Sequence, residues 1–102
     1  MSGHVVEFLT FDVDDADHAA WIAADAEHWT AFLRAQPGFV SKQVWADRAQ
    51  PDRICAVIVW DDEAAWKAIP TDQLSAVDAA MGQWRREPLE RVFDVVADTL
   101  DD

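Results

Sequence analysis

Two segments of this chain carry apolar side chains at both odd and even positions: residues 4–13 (HVVEFLTFDV) and 53–60 (RICAVIVW). Their β-branched and aromatic residues are typical of strands. Successive side chains of a strand point to opposite faces of the sheet, so a sheet with one face in water alternates apolar and polar residues. Here Val5 and Leu9 point one way while Phe8 points the other. The sequence therefore predicts a sheet whose two faces both need to be covered.

The rest of the chain supplies two helical regions and two further strands. Asp14, Asp15 and Asp17 favour a helix N-terminus. In chain order we expect a strand at 4–13, a helix at 16–35, strands at 39–46 and 53–60, a helix from 61 that Pro70 interrupts and Thr71 caps again, and a strand from 89. This β-α-β-β-α-β order indicates an α+β, ferredoxin-like fold with a four-stranded antiparallel sheet and both helices on one face. Residues 1–102 are expected to form one domain.

The second face of this sheet is the part of the fold that the helices leave uncovered. The simplest cover is the same face of a second copy, which gives a two-fold symmetric homodimer. The sequence therefore predicts that the principal protein partner of the chain is itself.

Composition excludes several classes of partner. The net charge is -12, from 20 acidic and 8 basic residues. Nucleic acids and anionic membranes need clustered positive charge, so neither is expected to bind. The chain begins without a basic leader and has no long apolar run, which predicts a cytoplasmic protein. Its single cysteine, Cys55, lies in an apolar strand and is expected to be a small buried hydrophobe.

Asp25 is the most unusual residue of the first predicted helix. At about 100° per residue, it falls on the same face as Trp21 and Trp29. A carboxylate among apolar side chains needs a charged partner, hydrogen-bond donors or bound water. One interpretation is structural, with Asp25 accepting from a tryptophan indole or pairing with Lys42 or an arginine. The other makes Asp25 a general base with a raised pKa in a pocket.

His28 lies one helical turn beyond Asp25, and His18 lies two turns before it. Such spacing permits coupling of an acid and a base, so Asp25 and His28 are the candidate catalytic residues. The alternative is that both histidines are surface or capping residues. The spacing matches no strong zinc signature, and no metal is expected.

Six tryptophans in 102 residues can either fill a small core or line a flat pocket that suits an aromatic ligand. The candidate ligand-binding residues are Trp29, Trp45, Trp66 and Phe32. Two lone charges in apolar strands, Glu7 and Lys42, are either surface groups directed to an edge or additional pocket residues. The sequence alone favours the edge for both.

The opening strand VVEFLTFDV, the helix end AQPGFVSKQVW and the junction VIVWDDEAAWKAI together resemble the dimeric α+β barrel superfamily, and within it proteins similar to antibiotic biosynthesis monooxygenases. More narrowly, DAEHWTAFLRAQPGF, KQVW and WKAIP are similar to a small bacterial subgroup common in cyanobacteria. The resemblance implies a barrel made by two sheets that meet back to back, with a pocket in each subunit between sheet and helices.

Relatives of this kind include cofactor-independent oxygenases, haem-degrading enzymes, isomerase-like enzymes and proteins with no demonstrated activity. Haem-degrading relatives use an Asn on the first strand, a Trp on the third and a His on the second helix. This chain offers Trp60, but it contains no Asn, and all its histidines precede residue 30. Oxygenases of aromatic polyketides commonly use Tyr, Trp and Asn, of which only tryptophans occur here. No cofactor is therefore expected.

Two functions remain at this point. The first is a homodimer whose pocket binds a small apolar or aromatic molecule, with Asp25 as polar anchor and with cofactor-independent oxygenase or isomerase chemistry. The second is a non-catalytic homodimeric module for interaction or stress, with a packed core. A cavity of about 300 Å³ or more that touches Asp25 would favour the first. A clamped Asp25 without a cavity would favour the second.

Overall fold

Every strand pairing in the sheet is antiparallel, and the strand order is β2-β3-β1-β4. The computed structural model describes residues 3–99. Its strands are β1 (Val5–Asp12), β2 (Phe39–Ala46), β3 (Arg53–Trp60) and β4 (Leu89–Asp94). Its helices are α1 (His18–Asp25), α2 (Ala31–Arg34), α3 (Glu63–Lys67) and α4 (Thr71–Ala80). The predicted ferredoxin-like fold is confirmed, and β2 and β3 have the predicted bounds.

The core lies between the helices and one face of the sheet. Residues that pair directly across strands point to the same face, so Leu9 and its partner Ala56 belong to the same side. Two clusters of buried residues form there. One consists of Phe11, Val13, Trp21, Ile54, Ala56 and Met81, and the other of Leu33, Ile58, Trp60 and Ile69. Leu9 and Trp29 pack against both clusters, which joins them into one core.

The opposite face of the sheet, which we call the open face, is also largely apolar. It carries Val6 and Phe8 from β1, Trp45 from β2, Val57 and Val59 from β3, and Leu89 and Phe93 from β4. Phe8 lies at the centre, with ring centroids 6.1 Å from Trp45 and 6.0 Å from Phe93. Trp45 is 47% exposed and Leu89 is 70% exposed. The sheet is therefore apolar on both sides, as the sequence predicts.

Helix capping differs from the prediction. The side chains of Asp14 and Asp17 form no capping hydrogen bond, because the chain enters α1 through a tight 3₁₀ turn in which the Asp14 carbonyl accepts from the Asp17 amide. Thr71 is the first residue of α4, and Pro70 occupies the capping position with an extended backbone. Asp62 does cap α3, since its carboxylate accepts from the Ala65 amide at 2.8 Å.

The turn between α2 and β2 depends on Gly38, whose φ is +83°. Most L-residues avoid this left-handed region. A Cβ at this position would also clash with the Ala65 side chain, so glycine lets α3 pack closely against the start of β2. Among residues 3–99, no helix is long and apolar enough to cross a membrane.

Candidate functional site

A cavity of about 420 Å³ lies between the helices and the covered face of the sheet. Most of its wall is apolar. The lining residues come from all four strands and all four helices. Its aromatic and aliphatic lining includes Leu9, Phe11, Trp21, Trp29, Leu33 and Trp66. Its charged lining consists of Glu7, Asp25, Lys42, Lys67, Asp78, Arg86 and Glu90. The cavity thus has a mainly apolar wall that also carries seven charged side chains. Ligand sites commonly combine an apolar wall with polar groups.

Asp25 meets Lys42 on the wall of this cavity. The Lys42 ammonium lies 2.7 Å from a carboxylate oxygen of Asp25, and both side chains are 4% exposed. Lys42 comes from β2 and points towards the helices, since it pairs with Ile58 of the covered face. The buried carboxylate therefore has a full positive charge as its partner, which is the structural interpretation of Asp25.

A π-helical turn at Ala26–Thr30 places a second acceptor beside Lys42. The Thr30 hydroxyl accepts from the Lys42 ammonium at 2.8 Å. Residues five apart diverge by about 140° on an α-helix of 100° per residue. A π turn bonds residue i to i+5 and brings such residues onto one side. The wider turn therefore lets Asp25 and Thr30 share one lysine.

Glu7 is another carboxyl of the cavity lining, and the sequence analysis named it as a possible pocket residue but preferred an edge position. Its Oε1 accepts a hydrogen bond from the Trp60 indole at 3.2 Å. Burial raises the pKa of Glu7 above its ordinary value of 4.5. The Trp60 hydrogen bond works in the opposite direction, and the nearby Glu90 adds to the rise in pKa. The preference for an edge position was wrong for both Glu7 and Lys42, because both line the cavity.

Strand periodicity would have located Glu7. It lies between Val5 and Leu9 at odd positions of β1, and these positions face the core. A charge at a core-facing position is a stronger signal than a charge in an apolar segment.

The structure brings three of the six predicted site residues to the cavity: Asp25, Trp29 and Trp66. His28 is not part of the lining. Its side chain is 31% exposed, and its Nε2 lies 3.3 Å from a carboxylate oxygen of Glu27. The π turn explains this placement, because it aligns residues five apart and not three apart. His28 is therefore not positioned to couple with Asp25.

The other two predicted ligand-binding residues lie elsewhere. Phe32 packs against Trp29, with ring centroids 6.4 Å apart, and is not part of the cavity lining. Trp45 pairs with Cys55 and so points to the open face, where its indole donates to Gln43 at 2.9 Å. The sheet therefore separates Trp45 from the cavity. Cys55 is buried, as expected.

The described part of the chain contains no group of three His, Cys, Asp or Glu residues that could hold a metal ion. His18, one of the residues considered for such a role, donates from Nε2 to the Val13 carbonyl at 2.9 Å.

Comparison with known proteins gives a family. The model of the antibiotic biosynthesis monooxygenase family matches residues 4–69. No curated protein sequence matches the chain.

Solved structures share the fold over nearly the whole chain. SnoaB from Streptomyces nogalater, a cofactor-independent oxygenase, is 20% identical, with 96% of this chain and 98% of that chain covered and a TM-score of 0.69. A monooxygenase from the ActVA-Orf6 gene of Streptomyces coelicolor, in complex with nanaomycin D, is 17% identical, with 95% and 90% covered and a TM-score of 0.76. A conserved protein from Methanosarcina mazei is 12% identical, with 89% and 91% covered and a TM-score of 0.69. At these identities the likeness establishes the fold alone.

Proposed function

Because the chain belongs to the antibiotic biosynthesis monooxygenase family, we propose that its cavity binds a small, largely apolar or aromatic molecule and supports cofactor-independent oxygenation or isomerisation of that molecule. The observation that carries this proposal is the cavity of about 420 Å³, which touches Asp25. Its volume exceeds the roughly 300 Å³ at which ligand pockets begin. Its tryptophans offer flat apolar area, which suits an aromatic ring.

Two relatives support this choice of chemistry. SnoaB is a cofactor-independent oxygenase, and the Streptomyces coelicolor monooxygenase binds nanaomycin D. Cofactor-independent chemistry needs a ligand that becomes electron-rich when it loses a proton. The cavity has carboxyl groups in an apolar wall, which is the kind of environment in which a carboxylate can act as a general base.

The alternative, a non-catalytic homodimeric module, draws its support from the ion pair. Asp25 is clamped by Lys42, as the alternative requires, but a cavity lies beside the clamp, which the alternative does not require. The ion pair therefore supports a structural role for Asp25, whereas the cavity supports ligand binding by the protein.

Binding and oxygen consumption test the proposal together. We expect 1,8-dihydroxyanthrone, a planar aryl ketone with an acidic C–H, to bind by isothermal titration calorimetry and to consume O₂ above the uncatalysed rate. Anthrone and O₂ give the anthraquinone and water, so the reaction balances without a cofactor. Absence of both signals would contradict the proposal.

A matched pair of variants locates the site. Leu74 and Val77 are both half-buried in α4, but only Leu74 lines the cavity. Leu74→Trp should fill the cavity and weaken binding by about tenfold or more, equivalent to about 1.4 kcal/mol. Val77→Trp should leave the affinity unchanged. Equal loss in both variants would place the ligand elsewhere.

We also propose that two copies associate through the open face, which would bury Phe8 and Trp45 and complete a barrel. A patch of this kind on one subunit is typical of an interface. Sedimentation at micromolar concentration should give a dimer, and Phe8→Asp should give a monomer. Val96 is 91% exposed and lies beyond β4, so Val96→Asp is a control that should remain dimeric. A monomeric parent protein would overturn the proposed barrel.

A further inference from the structure

Glu7 and Glu90 are the carboxyls of the cavity lining that form no ion pair with residues 3–99, and of these two Glu90 is exposed. Residues 3–99 give Glu7 one hydrogen bond, from the Trp60 indole, and no ion pair. That bond engages Oε1 and fixes the carboxylate from one side. Oε2 remains available on a residue that lines the cavity. Asp25, by contrast, already has the Lys42 ammonium against it.

The strand register places Glu7 and Lys42, the partner of Asp25, in one row across the covered face of the sheet. Glu7 pairs with Ile58, and Ile58 pairs with Lys42 on its other side. With neighbouring strands about 4.8 Å apart, the backbones of Glu7 and Lys42 are about 10 Å from each other. A planar ligand that lies on Ile58 would therefore have the free carboxyl at one edge and the neutralised pair at the other.

On this geometry we infer that Glu7 accepts the proton that the bound molecule loses, and that Trp60 is the residue that positions its carboxylate. The inference rests on the proposed function, because it requires a ligand in the cavity. An acidic C–H or O–H bond of the ligand breaks, an O–H bond forms on the Glu7 carboxylate, and the electron pair stays on the ligand. In the oxygenation proposed above, O₂ is the oxidant that then reacts with the electron-rich anion.

The same arrangement defines the class of substrate. An anionic group placed against Glu7 would be repelled, because like charges in a poorly solvated site cannot both ionise freely. The molecule should therefore bind in its neutral form and be weakly acidic, as phenols and aryl ketones with a benzylic C–H are. A carboxylate-bearing ligand of the same size should bind less well.

Several charged groups from the surrounding elements act on Glu7. Lys42 of β2 and Lys67 of α3 lower its pKa, while Glu90 of β4 raises it together with burial. Asp25, Asp78 and Arg86 line the same cavity. Because burial has the largest effect, the pKa of Glu7 is raised, which makes its carboxylate a stronger base. The rate should increase with pH through a midpoint above 4.5.

The test is a pH profile of O₂ consumption with 1,8-dihydroxyanthrone, with affinity measured in parallel by calorimetry. Glu7→Gln keeps an oxygen that can accept from Trp60, so it should bind the anthrone within about threefold of the parent affinity. Its rate should fall by about 10²–10⁴, the usual contribution of a general base. Glu87 is exposed and outside the cavity lining, so Glu87→Gln is the control with an unchanged profile.

Glu90→Gln supplies a second readout that does not need Glu7 to be replaced. Removing the Glu90 charge should move the midpoint to lower pH, and this result decides the question if Glu7→Gln does not fold. A full rate in Glu7→Gln, an unmoved midpoint in Glu90→Gln, or binding without O₂ consumption at any pH would overturn the inference. In those cases ligand binding by the parent protein stands. Absence of anthrone binding in the parent protein would overturn the proposed function and this inference with it.

Discussion

Two of the carboxyl groups that line the cavity, Asp25 and Glu7, have partners of different charge. Asp25 comes from a helix, is 3% exposed and forms an ion pair with Lys42 at 2.7 Å. Glu7 comes from a strand and has a neutral indole as its partner. Burial raises the pKa of Glu7, and the hydrogen bond from the indole offsets only part of that rise. Both are charges among apolar side chains. The partner of a buried carboxyl, and not its burial alone, therefore decides whether the group organises the fold or remains free for chemistry.

The ion pair between Asp25 and Lys42 organises the fold because both side chains are buried and come from different elements. Lys42 also donates to Thr30, so the ammonium joins a strand to both ends of the π turn. Transfer of two charges out of water costs about as much as their attraction returns, so such a pair adds little net stability. Removal of one partner is different, because the other charge is left buried.

The largest expected effect is the loss of one member of the pair. Lys42→Met or Asp25→Leu should lower the free energy of unfolding by about 3–5 kcal/mol, because each leaves an uncompensated buried charge. Urea denaturation measures this change. The double variant Asp25→Leu with Lys42→Met should recover most of the loss, since it removes both charges and keeps apolar volume.

A rise in melting temperature for Asp25→Leu alone would contradict this comparison. It would mean that Asp25 is retained for function at an energetic cost. Asp25, and not Glu7, would then be the carboxyl available for chemistry.

A smaller effect is expected at the π turn. Thr30→Val keeps the shape of the side chain but removes the oxygen that accepts from Lys42. The loss of one hydrogen bond to a charged donor should cost about 1.5–3 kcal/mol, again measured by urea denaturation. Thr71→Val is the matched control, because Thr71 is exposed, and its effect should be within about 0.5 kcal/mol. Equal effects of the two substitutions would show that the Lys42–Thr30 bond does not support the turn.

The fold was predictable from sequence because its signals are local and repeated. Alternation and turn residues gave β2 and β3 with the observed bounds, and the broken helix at Pro70 is present. Helical periodicity predicts that Asp25 is buried, and the sequence offers Lys42 as one of its possible partners. Each of these inferences uses only the spacing of residues within one element.

The site was harder to predict because it depends on departures from regular spacing. A π turn has no plain sequence signature, so α-helical spacing wrongly grouped His28 with Asp25. The side of the sheet that Trp45 occupies follows from strand parity, which also places Glu7 in the cavity. The volume of the cavity depends on how side chains from the sheet and four helices fit together, and no single segment encodes that.

The smallest effect should come from Glu7, and its sign should be opposite to that of the ion pair. The raised pKa of Glu7 means that the folded protein binds this proton more tightly than the unfolded chain does. The resulting stability is present at low pH and is lost as pH rises through the pKa of the folded state.

Glu7→Gln has no carboxyl to ionise, so it avoids this loss of stability at high pH while keeping an acceptor for Trp60. At pH 8 it should therefore melt above the parent protein, by about 4–8 °C for each kcal/mol gained. The difference should narrow as pH falls to 5, whereas Glu87→Gln should show no such trend. A difference that is constant with pH would mean that the Glu7 carboxyl is solvated in the folded protein, and Glu7 would then be no freer for chemistry than Asp25.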